Sequence, residues 1–417
     1  MAALLDVLDS ELRLWREGRA VRSPGYALLA DDGYRYGEAA RANARRQPRS
    51  VNTRFWWQLG TRPLQPALGP ARHSADLVHG HLLELHREAG GPDSIVLAVP
   101  DSLQKEQLSL LLGIVRACPF DAVGLVNRSL LAACAHAPAG PVWHLEVQLH
   151  QALLTRLERS GDELSLAQHQ VLSNCGLLAL QETIVEAIAR AFVEHTRFDP
   201  RRKAETEQAL YDSLGDTLAT LREADDATLE IAGYRTRIGY EGLRGAGERL
   251  RESVSRELER DASGLLLVDP LVALLPGFTE HFADLRVLSP QDLPGSLKSH
   301  REAIVQPGEA LHLIKSLPVA GAEGRRPAPP TDAGRVPAPA RAGPPTHLLR
   351  DGRAQPLRQG RIALAEGCEL VRRNGGWTLE GGSDVLVNGA PWDGGTLSTG
   401  DRIRAGDGSW QLIEVRD

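Results

Sequence analysis

Over the first three quarters of the chain, short unbroken apolar runs alternate with longer stretches in which apolar residues recur every three to four positions. The first pattern predicts strands buried on both faces, the second amphipathic helices, and their alternation a layered α/β protein. Ser94 to Pro100 (SIVLAVP) reads as a buried strand and Leu103 to Arg116 as the helix after it. The rhythm recurs with a strand over Val142 to Leu149, a long helix over Leu177 to Glu194, and a helix over Glu248 to Asp261 that runs into a strand at Gly264 to Val268. From Gly321 to Pro345 the sequence is GAEGRRPAPPTDAGRVPAPARAGPP, which offers no hydrophobic face and reads as an extended, proline-stiffened linker. Beyond it helical periodicity vanishes. Short alternating segments separated by Gly, Asn and Asp continue to Val415, the pattern of a compact β-sandwich. The organisation expected is therefore a domain over 1–317, a linker over 318–346 and a small β-domain over 347–417.

Bulk composition narrows the function classes. With 417 residues, 42% hydrophobic and 24% charged, the chain can bury two or three ordinary cores. A formal charge of -6 creates no general attraction to nucleic acid or anionic lipid. The start, MAALLDVLDSELRLW, carries acids where a signal peptide carries bases, and no run approaches the length of a membrane span, so a cytoplasmic location is expected. Cys118, Cys134, Cys175 and Cys368 stand singly, which points to inert thiols, with neither zinc nor disulfides. Lysine occurs only as Lys105, Lys203, Lys298 and Lys315 amid abundant arginine, a usage that points to a GC-rich bacterial genome. Arg325, Arg326, Arg335 and Arg341 read as solvated linker charges.

Three segments carry a family resemblance. Ser23-Pro24-Gly25, Gly37-Glu38-Ala39-Ala40 and Gln47-Pro48 follow one another as in the early nucleotide-binding domain of DnaK-type chaperones. SIVLAVPDSLQKEQLSLLLGIVRACPFDAVGLVNRSLLAA resembles that family's strand, helix, strand and Asn-Glu-Pro helix start, and GLLLVDPLVALLPGFTEHF its late strand and adenosine turn. The resemblance covers roughly residues 1–317 and implies an actin-like, ribonuclease-H-like, two-lobed ATPase fold.

The same resemblance locates the positions where ATP would be held, and each has lost its chemistry. The first phosphate hairpin, Asp-Leu-Gly-Thr-Thr in the family, is Asp6-Val7-Leu8-Asp9-Ser10, with Leu8 in place of a glycine able to approach phosphate. Asp9 adds a negative charge that would cost on the order of 4 kcal/mol beside a phosphate at about 4 Å and an effective dielectric near 20. Trp56 falls on the catalytic lysine and Arg128 on the glutamate of Asn-Glu-Pro. The second hairpin is His144-Leu145-Glu146-Val147-Gln148-Leu149, without glycine, and suits an ordinary β-hairpin. The Gly-Gly turn beneath adenosine is Asp269-Pro270. His144, Glu146 and His150 would share one face of a continued strand, a conceivable metal set, although satisfied polar groups are the commoner outcome. His73, His79, His81 and His86 fall on one helix without a ligand-pair spacing.

Residues 347–417 resemble a forkhead-associated domain through Trp377-Thr378-Leu379-Glu380, Val385-Leu386-Val387-Asn388-Gly389 and Leu397-x-x-Gly400-Asp401. The donors that family needs for phosphothreonine are missing: Glu366 stands at the arginine, Ser383 near the loop asparagine, and the Ser-x-x-His stretch is deleted between Gly367 and Trp377. Arg358, Arg361, Arg372 and Arg373 suggest either a basic patch or a solvated edge. The resulting expectation is a pseudo-ATPase scaffold or adaptor of a bacterial assembly, with no cofactor, no catalysis, a protein partner and possible oligomerisation. The competing expectations are a divergent DnaK-like ATPase with a rearranged pocket and a filament-forming actin homologue.

Overall fold

The structure is a computed structural model describing residues 2–136, 140–259, 264–319 apart from 307, 309 and 310, and 345–413 apart from 351, 352, 358, 359, 366, 374, 375, 382–384, 389, 393 and 407. The chain divides into two compact units, Met1–Arg326 and Pro327–Asp417. The expected linker, with Arg325, Arg326, Arg335 and Arg341, lies almost wholly outside the described residues.

Two mixed sheets form the framework of the first unit, with three smaller sheets beside them among the described residues. One is built from β1 (Ala3–Asp6), β2 (Leu12–Arg16), β3 (Arg19–Ser23), β4 (Ser94–Val99) and β5 (Asp121–Asn127), in the order β5-β4-β1-β2-β3. The other contains β6 (Val142–Val147), β7 (Gln151–Ser160), β8 (Glu163–Ser173), β9 (Leu265–Val268), β10 (Leu285–Val287) and β11 (Ser316–Pro318), in the order β10-β9-β6-β7-β8-β11. Each sheet opens with an antiparallel three-strand meander. One later strand then joins the first meander strand in parallel, and a second joins that one, again in parallel. The same five-strand unit therefore occurs twice. Parallel pairing needs crossovers, supplied by α1 (Ser74–Glu88) and α2 (Lys105–Val115) in the first half and by a segment containing α4 (Leu177–Thr196) and α5 (Arg244–Leu258) in the second.

Alternation within the strands sorts side chains into layers. Ile95, Leu97 and Val99 of β4 join Leu77, Val78 and Leu82 of α1 and Leu111 and Ile114 of α2 in one core. Val96 and Ala98, from the opposite face, meet α3 (Arg128–Cys134), α6 (Asp292–Ser299) and Leu267 of β9 in a central core shared by both sheets. Leu266 and Val268 turn outward to a third core with α4 and α5. Burying an apolar side chain on either face contributes roughly 1.5–3 kcal/mol, which is why these strands read as continuous apolar runs. The helix α4 stops where Arg197 takes a left-handed conformation (φ 59°), with Pro200 just beyond.

Predicted and observed boundaries differ mainly at ends. The strand expected over Val142–Leu149 stops at Val147, because the chain turns at Gln148–His150 into β7. The helix expected over Glu248–Asp261 begins earlier, at Arg244, and is described as far as Leu258. Between Ser23 and Gly60 the chain forms a hairpin, Ala27–Ala30 with Gly33–Tyr36, and a short helix, Gly37–Arg41. No helix among the described residues is long and apolar enough to cross a membrane.

The second unit is all-β among its described residues. A six-stranded and a three-stranded sheet share a core that includes Leu348, Leu370, Trp377, Ile403, Trp410 and Leu412. Asn388, at φ 54°, donates through Nδ2 to the Asp401 carboxylate at 2.9 Å and accepts from the Arg402 N–H at 2.9 Å, tying two turns together. Glu366 and Ser383 lie outside the described residues, as does Arg358. Of the two readings of the arginines here, the basic patch loses support: Arg361 pairs with Glu369 at 2.7 Å and Glu380 at 3.1 Å, and Arg373 also pairs with Glu380. These are neutralised cross-strand pairs rather than an unopposed cluster of positive charge.

Candidate functional site

In open α/β sheets the carboxyl ends of the strands are where ligands are usually held, and here they carry charge into the interior. Asp6 ends β1, Glu146 lies near the end of β6, and Asp269 follows β9 directly. All three are buried. Between them stands Arg128, the first residue of α3, itself completely buried. The turn of Asn127 out of β5, whose side-chain oxygen accepts the Leu130 N–H at 3.1 Å, starts the helix and delivers Arg128 to this point.

The guanidinium is saturated. Its Nε donates to Asp6 Oδ1 at 2.6 Å, Nη1 to Glu146 Oε2 at 3.1 Å and Asp269 Oδ2 at 3.0 Å, and Nη2 to Asp6 Oδ2 at 3.2 Å and Asp269 Oδ1 at 2.7 Å. Five donor groups are all that an arginine has. Burial works against the charged guanidinium, but Asp269, Asp6 and Glu146 outweigh it and hold the group firmly protonated. Burial raises Asp6 despite Arg128, and pushes Glu146 up to about 7. For Asp269 burial is again the largest influence, yet the opposing pull of Arg128 leaves it below the usual carboxylate range. One cation thus serves three acids, two of which take up protons more readily than in water.

A second contact closes the two hairpins on each other. Asp9, in the β1–β2 turn, accepts the Leu149 N–H through Oδ1 at 2.8 Å, and Ser10 donates to the Val147 carbonyl at 2.7 Å. Burial pushes Asp9 up to about 7, moderated by the N–H groups of Leu149 and Ser10. The Leu149 N–H of the second hairpin is therefore already bonded to a carboxyl group belonging to the chain. Leu8, beside Asp9, is buried. Gly176 packs so tightly beneath the β6–β7 turn that a Cβ there would lie 2.3 Å from the His150 carbonyl carbon.

Trp56 is part of the core that lies on the outer side of the first sheet. Its indole N–H donates to His81 Nδ1 at 3.0 Å. Because indole can only donate, Nδ1 is the acceptor and Nε2–H faces Ser23 Oγ at 2.7 Å. Burial holds His81 down to about 3, so it is neutral, and Tyr36 stacks on it with centroids 5.3 Å apart. Across the molecule, Arg45 lies 3.7 Å over the Tyr211 ring and pairs with Glu182 and Glu207, joining the Gly37–Arg41 region to the helix Ala204–Asp212.

Several expectations are corrected. His150 does not share a strand face with His144 and Glu146: it sits in the turn after β6, where its Nε2 meets Thr53. His144 bonds Ser129 Oγ at 2.8 Å and is held neutral by burial, down to about 3. Among the described residues no group of three His, Cys, Asp or Glu is placed to hold a metal. His73 caps α1, and His79, His81 and His86 on α1 make separate contacts with Ala117, Ser23 and Pro92. Asp269 belongs to the central ion cluster, because its strand ends beside β6; Pro270, next to it, is half-buried.

What the sequence reading missed is that Arg128 collects Asp6, Glu146 and Asp269. A signal was present: each acid interrupts or ends an apolar strand (LLD, HLEV, LLVD), and buried charge must be paired. The sequence matches no protein-family model and no curated protein.

Proposed function

We propose that residues 1–317 form a degenerate actin-like, two-lobed fold related to the DnaK-type nucleotide-binding domain, serving as a protein-binding scaffold without ATP turnover. The repeated five-strand unit, with α3 and α6 packed between the sheets, supports the two-lobed reading. The observation that carries the functional reading is the state of Arg128. A metal–triphosphate complex needs carboxylates free to hold the cation and N–H groups free to hold phosphate. Here the cation is a side chain already bonded to Asp6, Glu146 and Asp269, and the Leu149 N–H is taken by Asp9. Nucleotide entry would require breaking both sets of contacts. The C-terminal unit is proposed as a forkhead-associated-like module joined to that scaffold.

Titration of the full chain with magnesium and ATP tests this. At about 1 mM, a ligand with a Kd near 10 μM would stabilise the fold by ~2.7 kcal/mol, easily seen as a thermal shift. No shift and no phosphate release are expected. Low-micromolar binding or steady turnover would overturn the scaffold reading in favour of a divergent ATPase.

A further inference from the structure

The outer edge of the second sheet is only partly covered. β11 pairs with β8 at Glu163, Leu164 and Ser165, and the Lys315 carbonyl accepts the Leu166 N–H. From 167 to 173 no strand among the described residues pairs with β8 on the side away from β7, and every residue there but Leu172 is exposed. One margin of the first sheet, that of β5, is treated differently. Beside β5, Gln306 donates to the Val123 carbonyl and Ile314 to that of Leu125, so a chain segment covers that edge.

A register shift beside Arg156 and Leu157 marks where the covered part of β8 gives way to the open part. His169 and Val171, two apart and so on one face, border a cavity of about 270 Å³ that Trp57, Leu103, Gln104 and Gln107 also line. Trp57 and Val171 are 38% and 37% exposed, two of the few large apolar side chains left open to solvent. The lining is almost without free charge. Asp9 is bonded to Leu149, and His169 is held by Asp101 at 2.5 Å. Below the ~300–1,000 Å³ typical of whole-ligand pockets, such a space fits one or two apolar side chains, and a charged group entering it would meet no partner.

We propose that residues 167–173 of β8 form a β-addition site for an extended, uncharged segment of a partner protein, with an aliphatic side chain seated in the Trp57–Val171 cavity. An added strand lies about 4.8 Å from its neighbour and sends alternate side chains to each face. One set would therefore fall beside His169 and Val171, over the cavity. Main-chain bonds to the open edge supply affinity, and the cavity selects the side chain. The site deepens the scaffold reading and rests on it.

The test is selection of a phage-displayed library of random peptides, about twelve residues long, on the immobilised full chain, with V171K as counter-selection. Enriched peptides, made with a fluorescent label, are then titrated. Apolar residues at alternate positions are expected, with binding weakened about tenfold or more by V171K and by Trp57→Ala and little changed by Val171→Ile. Hydrogen exchange should slow at 167–173 when peptide binds. The proposal is overturned if no sequence survives counter-selection, if V171K and Trp57→Ala bind as the native chain does, or if protection falls elsewhere. It is equally overturned if the chain forms dimers that V171K dissociates, since a second copy would then occupy the edge. Any of these results without nucleotide binding removes this groove but leaves the scaffold; nucleotide binding removes the scaffold itself.

Discussion

Replacing Arg128 by methionine is the sharpest perturbation the structure offers. The side chain is fully buried and all five of its N–H groups reach carboxylates, so its loss strands Asp6, Glu146 and Asp269 in a dry interior. Each attraction at about 4 Å is worth on the order of 4 kcal/mol at an effective dielectric near 20, but much of that offsets desolvation. The measured consequence of breaking a buried ion pair is about 3–5 kcal/mol, and that is the expected loss at pH 8. The stranded acids respond by keeping protons in the folded state at higher pH than in the unfolded one. Stability contributed by such raised groups is present at low pH and lost as pH rises through the folded values. The deficit of Arg128→Met should therefore shrink towards pH 5. Urea unfolding read by hydrogen exchange on peptides from residues 94–134 follows the first unit alone. A second variant adds Asp6→Asn, Glu146→Gln and Asp269→Asn to Arg128→Met. It removes the same attractions but leaves no uncompensated charge, and most of the stability should return. A deficit under about 1 kcal/mol, one equal at pH 5 and pH 8, or a neutral quadruple variant as weak as the single one would refute the reasoning.

Asp9→Asn keeps an oxygen for the Leu149 N–H but removes a carboxyl that burial pushes up to about 7 from 3.8. Native stability should fall relative to this variant as pH rises from about 4 to about 7, by up to ~1.4 kcal/mol per pH unit; parallel pH profiles in chemical denaturation would exclude the effect. Gly176→Ala would place a Cβ 2.3 Å from the His150 carbonyl carbon and 2.4 Å from the Gln151 nitrogen, so a loss of about 1–3 kcal/mol and faster exchange over 142–160 are expected. Gly113→Ala, on α2 with nothing near its Cβ, serves as the control and should be neutral or stabilising by up to ~1 kcal/mol.

How far the sequence revealed this fold depends on whether a feature is local. The run SIVLAVP and the long apolar helix from Leu177 declare themselves because periodicity is a property of neighbouring residues. The end of β6 was less legible: Gln148 to His150 look as strand-like as His144 to Val147, and only the turn packed on Gly176 distinguishes them. Trp56 stood out in the sequence as one of two adjacent tryptophans, but its bond to His81 joins residues 25 positions apart. The ion cluster was least legible. Arg128 lies 122 residues from Asp6 and 141 from Asp269, so nothing short of the sheet order brings them together. Three acids ending apolar strands announced that a cation must be near, though not which one.

A guanidinium carried on the polypeptide differs from a bound ion in one further respect. Stabilisation by a dissociable ligand varies with the logarithm of its free concentration, so it can be tuned from outside and removed by dialysis or chelation. Arg128 has no free concentration. Whatever holds these two sheets together at that point is insensitive to the ionic supply of the surroundings, and its strength was fixed when the chain was translated.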